Sequence, residues 1–271
     1  MSIKSTTISI MIQAAEAAGR KLIRDFGELE HLQISSKAPG DFVTKADQKS
    51  EDVIRSHLEK SRPNYGFILE EGGIVEGSDT SNNWIIDPLD GTHNFMHGLP
   101  FFAISIGLVR DGKPYAGVIF NPISNQMWLA EKGQGAWMHN RRLRVSRKKV
   151  LSETLNYTEM PRMHHASRER ALKRITVLSR LGGQTRDLGS AALGLAYFAS
   201  GQFDSIFLEN IHAWDIAAGI IIAKEAGGLI RDFEGEQNML EKGEVIGTNG
   251  IIDNDLRKVL EKFDMKLPHY E

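Results

Sequence analysis

The run Trp84-Ile85-Ile86-Asp87-Pro88-Leu89-Asp90-Gly91-Thr92-His93-Asn94-Phe95 sets the tightest limit on what this chain can fold into. An apolar strand ends in two carboxylates three residues apart, with Pro88 between them. An unpaired buried carboxylate is costly, so something has to neutralise such a pair. A hard divalent cation held by oxygen ligands does so. Gly91-Thr92 can then open a helix, whose free N–H groups favour an anion such as phosphate. A metal beside a phosphate is the chemistry this stretch predicts, and the rest of the chain must supply the remaining ligands.

A second apolar strand, Tyr65–Leu69, repeats the pattern and ends in Glu70-Glu71 before Gly72-Gly73. The ends of strands are where α/β folds collect ligand groups. A third acid, Asp215, opens the apolar helix predicted over Ala213–Ala226, where a carboxylate also complements the helix dipole. Asp47 and Glu51 lie four apart and share one face of a helix predicted to run to about Lys60; local pattern alone reads that face as solvated. The polar run from Gly72 to Asn83 reads as a mobile, exposed loop. His93 and His97 stand four apart beside the acids, but the oxygen-rich neighbours favour magnesium over zinc. His164 and His165 read as solvated loop residues.

Helical spacing covers residues 3 to about 30, 167–181, 190–200 and 253–263. Strands are predicted at Leu32–Ile34, Ala103–Val109, Tyr115–Phe120, Gln126–Ala130, Gly135–His139, Phe203–Leu208 and Val245–Gly247, with a hairpin at Asp111-Gly112. Such a meander predicts a substantial antiparallel sheet with helices packed on it. The pattern becomes more α/β in the second half. It sets a domain boundary near 147, giving an N-terminal α+β domain (1–147) with the main acidic motif and a C-terminal α/β domain (148–271).

At 271 residues and a net charge of -2 the chain is an ordinary globular protein, neither a basic nucleic-acid binder nor a basic membrane-surface protein. The absence of cysteine excludes disulfides, thiolate zinc sites and cysteine nucleophiles. No signal peptide or membrane span is read, so the expected location is cytoplasmic. The basic run Arg141–Lys149 carries no aromatic residue to stack on a base and reads as a turn and solvated edge strand.

In these residues the chain resembles the inositol monophosphatase family, which includes bacterial SuhB-type proteins. Trp84–Phe95 is similar to the family's metal-binding signature. The run Trp214-Asp215-Ile216-Ala217-Ala218-Gly219 to Glu225-Ala226-Gly227-Gly228 is similar to its second signature. Asp41–Asp47 and Glu70-Glu71 match in order and spacing, and the resemblance spans about residues 8–260. It implies an α+β fold, a layered α-β-α-β-α sandwich, and magnesium-dependent hydrolysis of a phosphate monoester. The leading substrate is myo-inositol 1-phosphate; fructose bisphosphate, histidinol phosphate, NADP and 3′-phosphoadenosine nucleotides are the alternatives. It further implies that Glu70, Asp87 and the Leu89 carbonyl hold one Mg2+, and that Asp87, Asp90 and Asp215 hold a second, with Asp87 bridging. A weaker third ion belongs near Glu70, and Li+ inhibits by occupying a weak site.

In the same resemblance Thr92 pairs with Asp47 to orient the attacking water, so Glu70, Thr92 and Asp47 form the catalytic set. Asp90, Gly91, Thr92, Gly189, Ser190, Ala191, Glu209 and Asp215 line the substrate. One residue fewer than is usual in the family separates Glu209 from Asp215, which puts the role of Glu209 in question. A homodimer is implied. SuhB-type members add an association with RNA polymerase and ribosomal RNA transcription, the only route to a nucleic-acid role.

Overall fold

The computed structural model describes residues 5–29, 34–38, 41–161 and 166–262. In chain order the elements are α1 (Thr6–Phe26), β1 (Ile34–Ala38), β2 (Asp41–Thr44), α2 (Lys45–Ser61), β3 (Tyr65–Leu69), β4 (Gly73–Val75), β5 (Asp79–Asp90) and α3 (Thr92–Met96). Then come β6 (Ala103–Arg110), β7 (Lys113–Asn121), β8 (Gln126–Glu131), β9 (Ala136–Met138), β10 (Arg141–Arg142) and β11 (Leu155–Thr158). The last part holds α4 (Ser167–Arg180), β12 (Gln184–Arg186), α5 (Ala191–Ala199), β13 (Ser205–Glu209), α6 (Ala213–Glu225), β14 (Leu229–Arg231), α7 (Met239–Lys242), β15 (Glu244–Thr248) and α8 (Asp253–Glu261).

Five layers result, the predicted α-β-α-β-α sandwich. The eight-stranded sheet runs β10-β9-β8-β7-β6-β5-β3-β4 and is antiparallel except where β3 pairs with β5. Helices α1 and α2 cover one face; their buried Ile8, Met11, Leu22, Ile54 and Leu58 pack with Trp84, Ile86 and Ile104 of the sheet. Helices α5 and α6 fill the middle and join both sheets in one core that includes Ile119, Trp128, Leu195, Ile220 and Ile206. The five-stranded sheet, β12-β11-β13-β15-β14, carries α4 and α8 on its far side, where Val177 and Leu178 meet Phe207, Ile246, Leu256 and Leu260. Helices α5 and α6 are buried on all sides, which is why both are apolar almost without interruption.

Three local features differ from the sequence reading. The 72–83 run is not a mobile loop: β4 and the first half of β5 lie within it, and Asn82 is buried, accepting from Arg110 Nε at 3.0 Å. Strands β11, β12 and β14 went unrecognised because each is three or four residues long and pairs with distant segments. Strand β1 runs from Ile34 to Ala38, past the end of the predicted Leu32–Ile34 strand; Leu32, Gln33, His164 and His165 lie outside the described residues. The hairpin at Asp111-Gly112 forms with both residues at positive φ (50° and 72°), the twist a two-residue connection needs.

Helix α6 sits unusually close to the sheet. A Cβ on Gly117 would lie 2.5 Å from the Ala218 carbonyl oxygen and 2.8 Å from its Cα, and one on Gly107 2.8 Å from the Ala217 Cβ. These contacts are with backbone or with a side chain that has nowhere to turn. Gly117→Val is therefore expected to destabilise the fold by about 1–3 kcal/mol and to lift the helix that carries Asp215. Thermal denaturation measures the first effect, and activity per folded molecule, for whatever chemistry the Asp215 cluster performs, measures the second. A variant with unchanged melting temperature and activity would contradict this packing.

Candidate metal and phosphate site

Register brings the acids together. Strand β3 runs parallel to β5 with Leu69 opposite Ile86, so Glu70 and Asp87 leave neighbouring strand ends side by side. The Glu70 N–H donates to the Ile86 carbonyl at 3.3 Å, and the Glu70 carboxyl is among the groups that push the Asp87 carboxyl up. Between Asp87 and Asp90 the β5–β6 pairing slips, from Asp87 opposite Ser105 to Asp90 opposite Ala103. Pro88 has no N–H to give to the ladder and sits in this bulge. The bulge is pinned from two sides: Leu89 N–H donates to Asp87 Oδ1 at 2.9 Å, and Ser50 Oγ donates to the Pro88 carbonyl at 2.9 Å.

Asp215 arrives from α6. Its Oδ2 accepts the His212 N–H at 2.6 Å, which caps the helix, while Ser105 Oγ donates to the Trp214 carbonyl at 3.2 Å and ties the helix start to β6. Asp87, Asp90 and Asp215 each offer an oxygen, and the three atoms lie within 4.8 Å of one another. Burial pushes the Asp87 carboxyl well above the usual range, with Glu70, Asp90 and Asp215 adding to the shift. Burial and then Asp215 push Asp90 up to about 8, against hydrogen bonds from Ser190 and the Ala192 N–H. An all-oxygen donor set of mutually repelling buried acids fits a hard divalent cation.

The hydroxyl beside this cluster is held from both sides. Thr92 Oγ1 lies 3.0 Å from Asp47 Oδ1 and 3.0 Å from the Leu89 carbonyl, and its single proton can go to only one of them. Asp47 is fully buried, contrary to the solvated face read from the sequence. Its Oδ2 accepts the Thr44 N–H (2.8 Å) and the Thr44 hydroxyl (2.5 Å), so Asp47 is the third-position partner in a capping box whose N-cap is Thr44. Burial raises its pKa to about 6 despite these bonds. Glu51 is buried too, accepting the Glu71 N–H at 2.9 Å and so fixing the turn that presents Glu70.

Gly91 has φ +96°, and a Cβ there would meet the Phe101 carbonyl at 2.8 Å; no other residue fits where the chain turns from β5 into α3. Ser190 does two things at once. It caps α5 through the Leu193 N–H at 3.2 Å and donates to Asp90 Oδ2 at 2.6 Å, with the Ala192 N–H donating to the same oxygen at 2.7 Å. Gly189 lies at positive φ on the Asp187 carboxylate, and Asn94 Nδ2 ties α3 to this turn through the carbonyls of Leu188 (2.7 Å) and Gly189 (3.3 Å). Ala191 reaches the cleft itself.

A cleft of about 450 Å³ opens over the acids, lined among others by Glu70, Asp90, Ala191, Glu209 and Asp215. Glu209 is on its wall, but its carboxylate is held by Arg170 Nη2 at 2.6 Å and by the buried Arg174. Two lining features add to the predicted site residues. His212 and Trp214 stack at 4.5 Å with 10° between their planes, giving the cleft an aromatic wall. Glu159, one residue past β11, also lines the cleft. The only signal for either was a short motif whose tertiary setting the sequence does not state.

Comparison with known proteins agrees with this geometry. The inositol monophosphatase family model matches residues 4–264. A relative from Mesorhizobium japonicum named inositol-1-monophosphatase is 47% identical over 262 residues, covering 96% of this chain and 97% of its own length. A relative from Escherichia coli named Nus factor SuhB is 36% identical, covering 89% and 91%. The crystal structure of the extragenic suppressor protein suhB from Bartonella henselae superposes with a TM-score of 0.90 at 43% identity, covering 95% of this chain and 99% of that one. With the ordered motifs, the five layers and the converging acids in one chain, this protein belongs to the inositol monophosphatase family, a family of metal-dependent phosphatases.

Proposed function

We propose that this protein hydrolyses a phosphate monoester with magnesium, and that myo-inositol 1-phosphate is its leading substrate. The observation that carries the reading is the convergence of Asp87, Asp90 and Asp215, with Glu70, beside the Thr92 hydroxyl held by Asp47. Glu70, Asp87, the Leu89 carbonyl, Asp90 and Asp215 would hold the magnesium, which would supply an activated water and cancel charge on the transferring oxygens. The chain's own groups do the rest. Thr92 Oγ1 donates to Asp47 and offers its lone pairs to the attacking water. The Gly91 and Thr92 N–H groups at the start of α3 meet the phosphate. No covalent nucleophile is needed, since loose phosphoryl transfer asks for positioning and charge. Gly189, Ser190 and Ala191 shape the substrate's end of the cleft. Inhibition by Li+, a homodimer and a cytoplasmic location complete the proposal; among the described residues no helix is long and apolar enough to cross a membrane.

Release of inorganic phosphate from a panel of monoesters, with Mg2+ and with EDTA, tests it. Inositol 1-phosphate is expected to give the highest kcat/KM, and only with Mg2+; histidinol phosphate or fructose bisphosphate far ahead of it would overturn the substrate. A second reading follows from the exposed basic edge around Arg141 and Arg142 and from the SuhB-named relatives: a contact with the transcription machinery. RNA polymerase retained on the immobilised protein, and lost on Arg141→Glu/Arg142→Glu, would support it; no retention would end it.

The metal-free protein has a signed pH dependence. Asp90 has a folded pKa of about 8, above its unfolded value, so the folded state holds its proton more tightly. Stability without metal is then greatest in acid and falls as pH rises towards about 8. Melting temperature in EDTA should drop between about pH 5 and pH 8, and Mg2+ should raise it most at the alkaline end. A flat profile in EDTA would contradict the burial of these acids.

A further inference from the structure

Glu159 is a cleft-lining acid that the proposed metal and water chemistry does not use. It follows β11 directly, and β11 runs parallel to β13 with Thr158 opposite Phe207, so Glu159 and Glu209 leave adjacent parallel strand ends on the same wall. Their environments differ. Glu209 is neutralised by Arg170 and Arg174. Glu159 has Asp90, Asp187 and Asp215 as its charged neighbours, and its Oε2 is shielded from solvent without a hydrogen-bond partner among the described residues. A shielded carboxyl oxygen with no partner is rare in a folded protein, and at a ligand cleft it marks a bond the ligand completes.

The chemistry of that partner follows from its surroundings. An anionic group, such as a second phosphate or a carboxylate, would meet Glu159 and the charges of Asp90, Asp187 and Asp215 around it. A cation is already provided for by the cluster at Asp87, Asp90 and Asp215. An alcohol hydroxyl donates and accepts, carries no charge, and suits a carboxyl group in either protonation state. We propose that Glu159 is a specificity-determining residue whose carboxyl group hydrogen-bonds a hydroxyl of the substrate's non-phosphate part, selecting phosphate esters of neutral polyols over esters that carry a second negative charge.

This inference rests on the phosphatase reading, and the test separates the two. Kinetics with Mg2+ are measured for wild type, Glu159→Ala and Glu159→Gln on inositol 1-phosphate and on 4-nitrophenyl phosphate, which has no alcohol hydroxyl. The ratio of kcat/KM for the polyol ester to that for the aryl ester should fall about tenfold in Glu159→Ala, mostly through KM, and recover to within about threefold of wild type in Glu159→Gln. The Mg2+ concentration for half activation should stay where it is in wild type. An unchanged ratio in an active, folded Glu159→Ala variant overturns the assignment. So does a shift in the Mg2+ midpoint, which would make Glu159 a cation ligand. A wild-type protein that hydrolyses neither ester, or the aryl ester alone, overturns the phosphatase or polyol reading and takes the Glu159 assignment with it. Glu159→Gln is nearly isosteric, so it keeps the test decisive if the alanine variant does not fold.

Discussion

Asp87→Asn is expected to lower Mg2+-dependent phosphatase activity by about a thousandfold or more, while the metal-free protein melts at a higher temperature than wild type. Both effects have one origin. Asp87 is buried at the meeting point of Glu70, Asp90 and Asp215, and each of the three raises its pKa beyond what burial alone does. The asparagine keeps an oxygen to accept the Leu89 N–H, the 2.9 Å bond that shapes the bulge, so the backbone has no reason to move. It lacks the negative charge that the Asp87 carboxylate would bring to a bound metal, and several kcal/mol of transition-state stabilisation would go with it. Without metal that same charge is a liability, because it is desolvated and surrounded by like charges. Steady-state assays in Mg2+ and thermal melts in EDTA at neutral pH measure the pair. Full activity would sink the proposal that Asp87 is a metal ligand. A lower melting temperature in EDTA would mean that the carboxylate is held by something other than repelling neighbours.

The parts of this site that the sequence makes legible are those written in local pattern. An apolar run ending in acids marks Glu70, Asp87 and Asp90, and an acid in the first turn of an apolar helix marks Asp215. What local pattern leaves out is which face of an element is covered. Asp47 and Glu51 share a helix face whether that face is wet or dry; both are buried because Thr44, Thr92 and the Glu71 N–H come to meet them. The polar composition of 72–83 says exposure, yet Asn82 is buried by pairing with Arg110, which itself lies 3.8 Å over the Tyr115 ring. Strand β11 needs Ser205 opposite Asn156, a partner about fifty residues away, before it is a strand at all. Glu159 follows β11, so its place on the cleft wall was hidden with it. The ion pair of Glu209 was hidden for the same reason: Arg170 and Arg174 approach from α4, across the sheet edge.

The second large effect concerns Asp47 and Thr92, the pair proposed to orient the attacking water. Asp47→Asn should lower kcat by about a hundredfold to ten-thousandfold with KM for the phosphate ester little changed, the range a positioned proton acceptor contributes. One carboxylate holds the whole arrangement: Oδ2 takes both the N–H and the hydroxyl of Thr44, and Oδ1 takes Thr92 Oγ1 at 3.0 Å. An asparagine has one acceptor oxygen, so it can serve the α2 cap or the Thr92 hydroxyl but not both. If it serves the cap, its NH2 faces Thr92 and turns the hydroxyl proton away, towards the Leu89 carbonyl at 3.0 Å. The Thr92 lone pairs are then no longer offered to the attacking water. Thr92→Val removes the hydroxyl while keeping the shape, and should cost as much in kcat; Thr92→Ser keeps the hydroxyl and should retain most of it. Because Asp47 and Thr92 act as one unit, the double variant should be scarcely worse than either single one. Losses that multiply would show two independent roles and remove the relay from the mechanism. The rate profile adds a check, since Asp47 has a pKa of about 6 in the metal-free protein and activity that needs it ionised should fall on the acid side of neutrality.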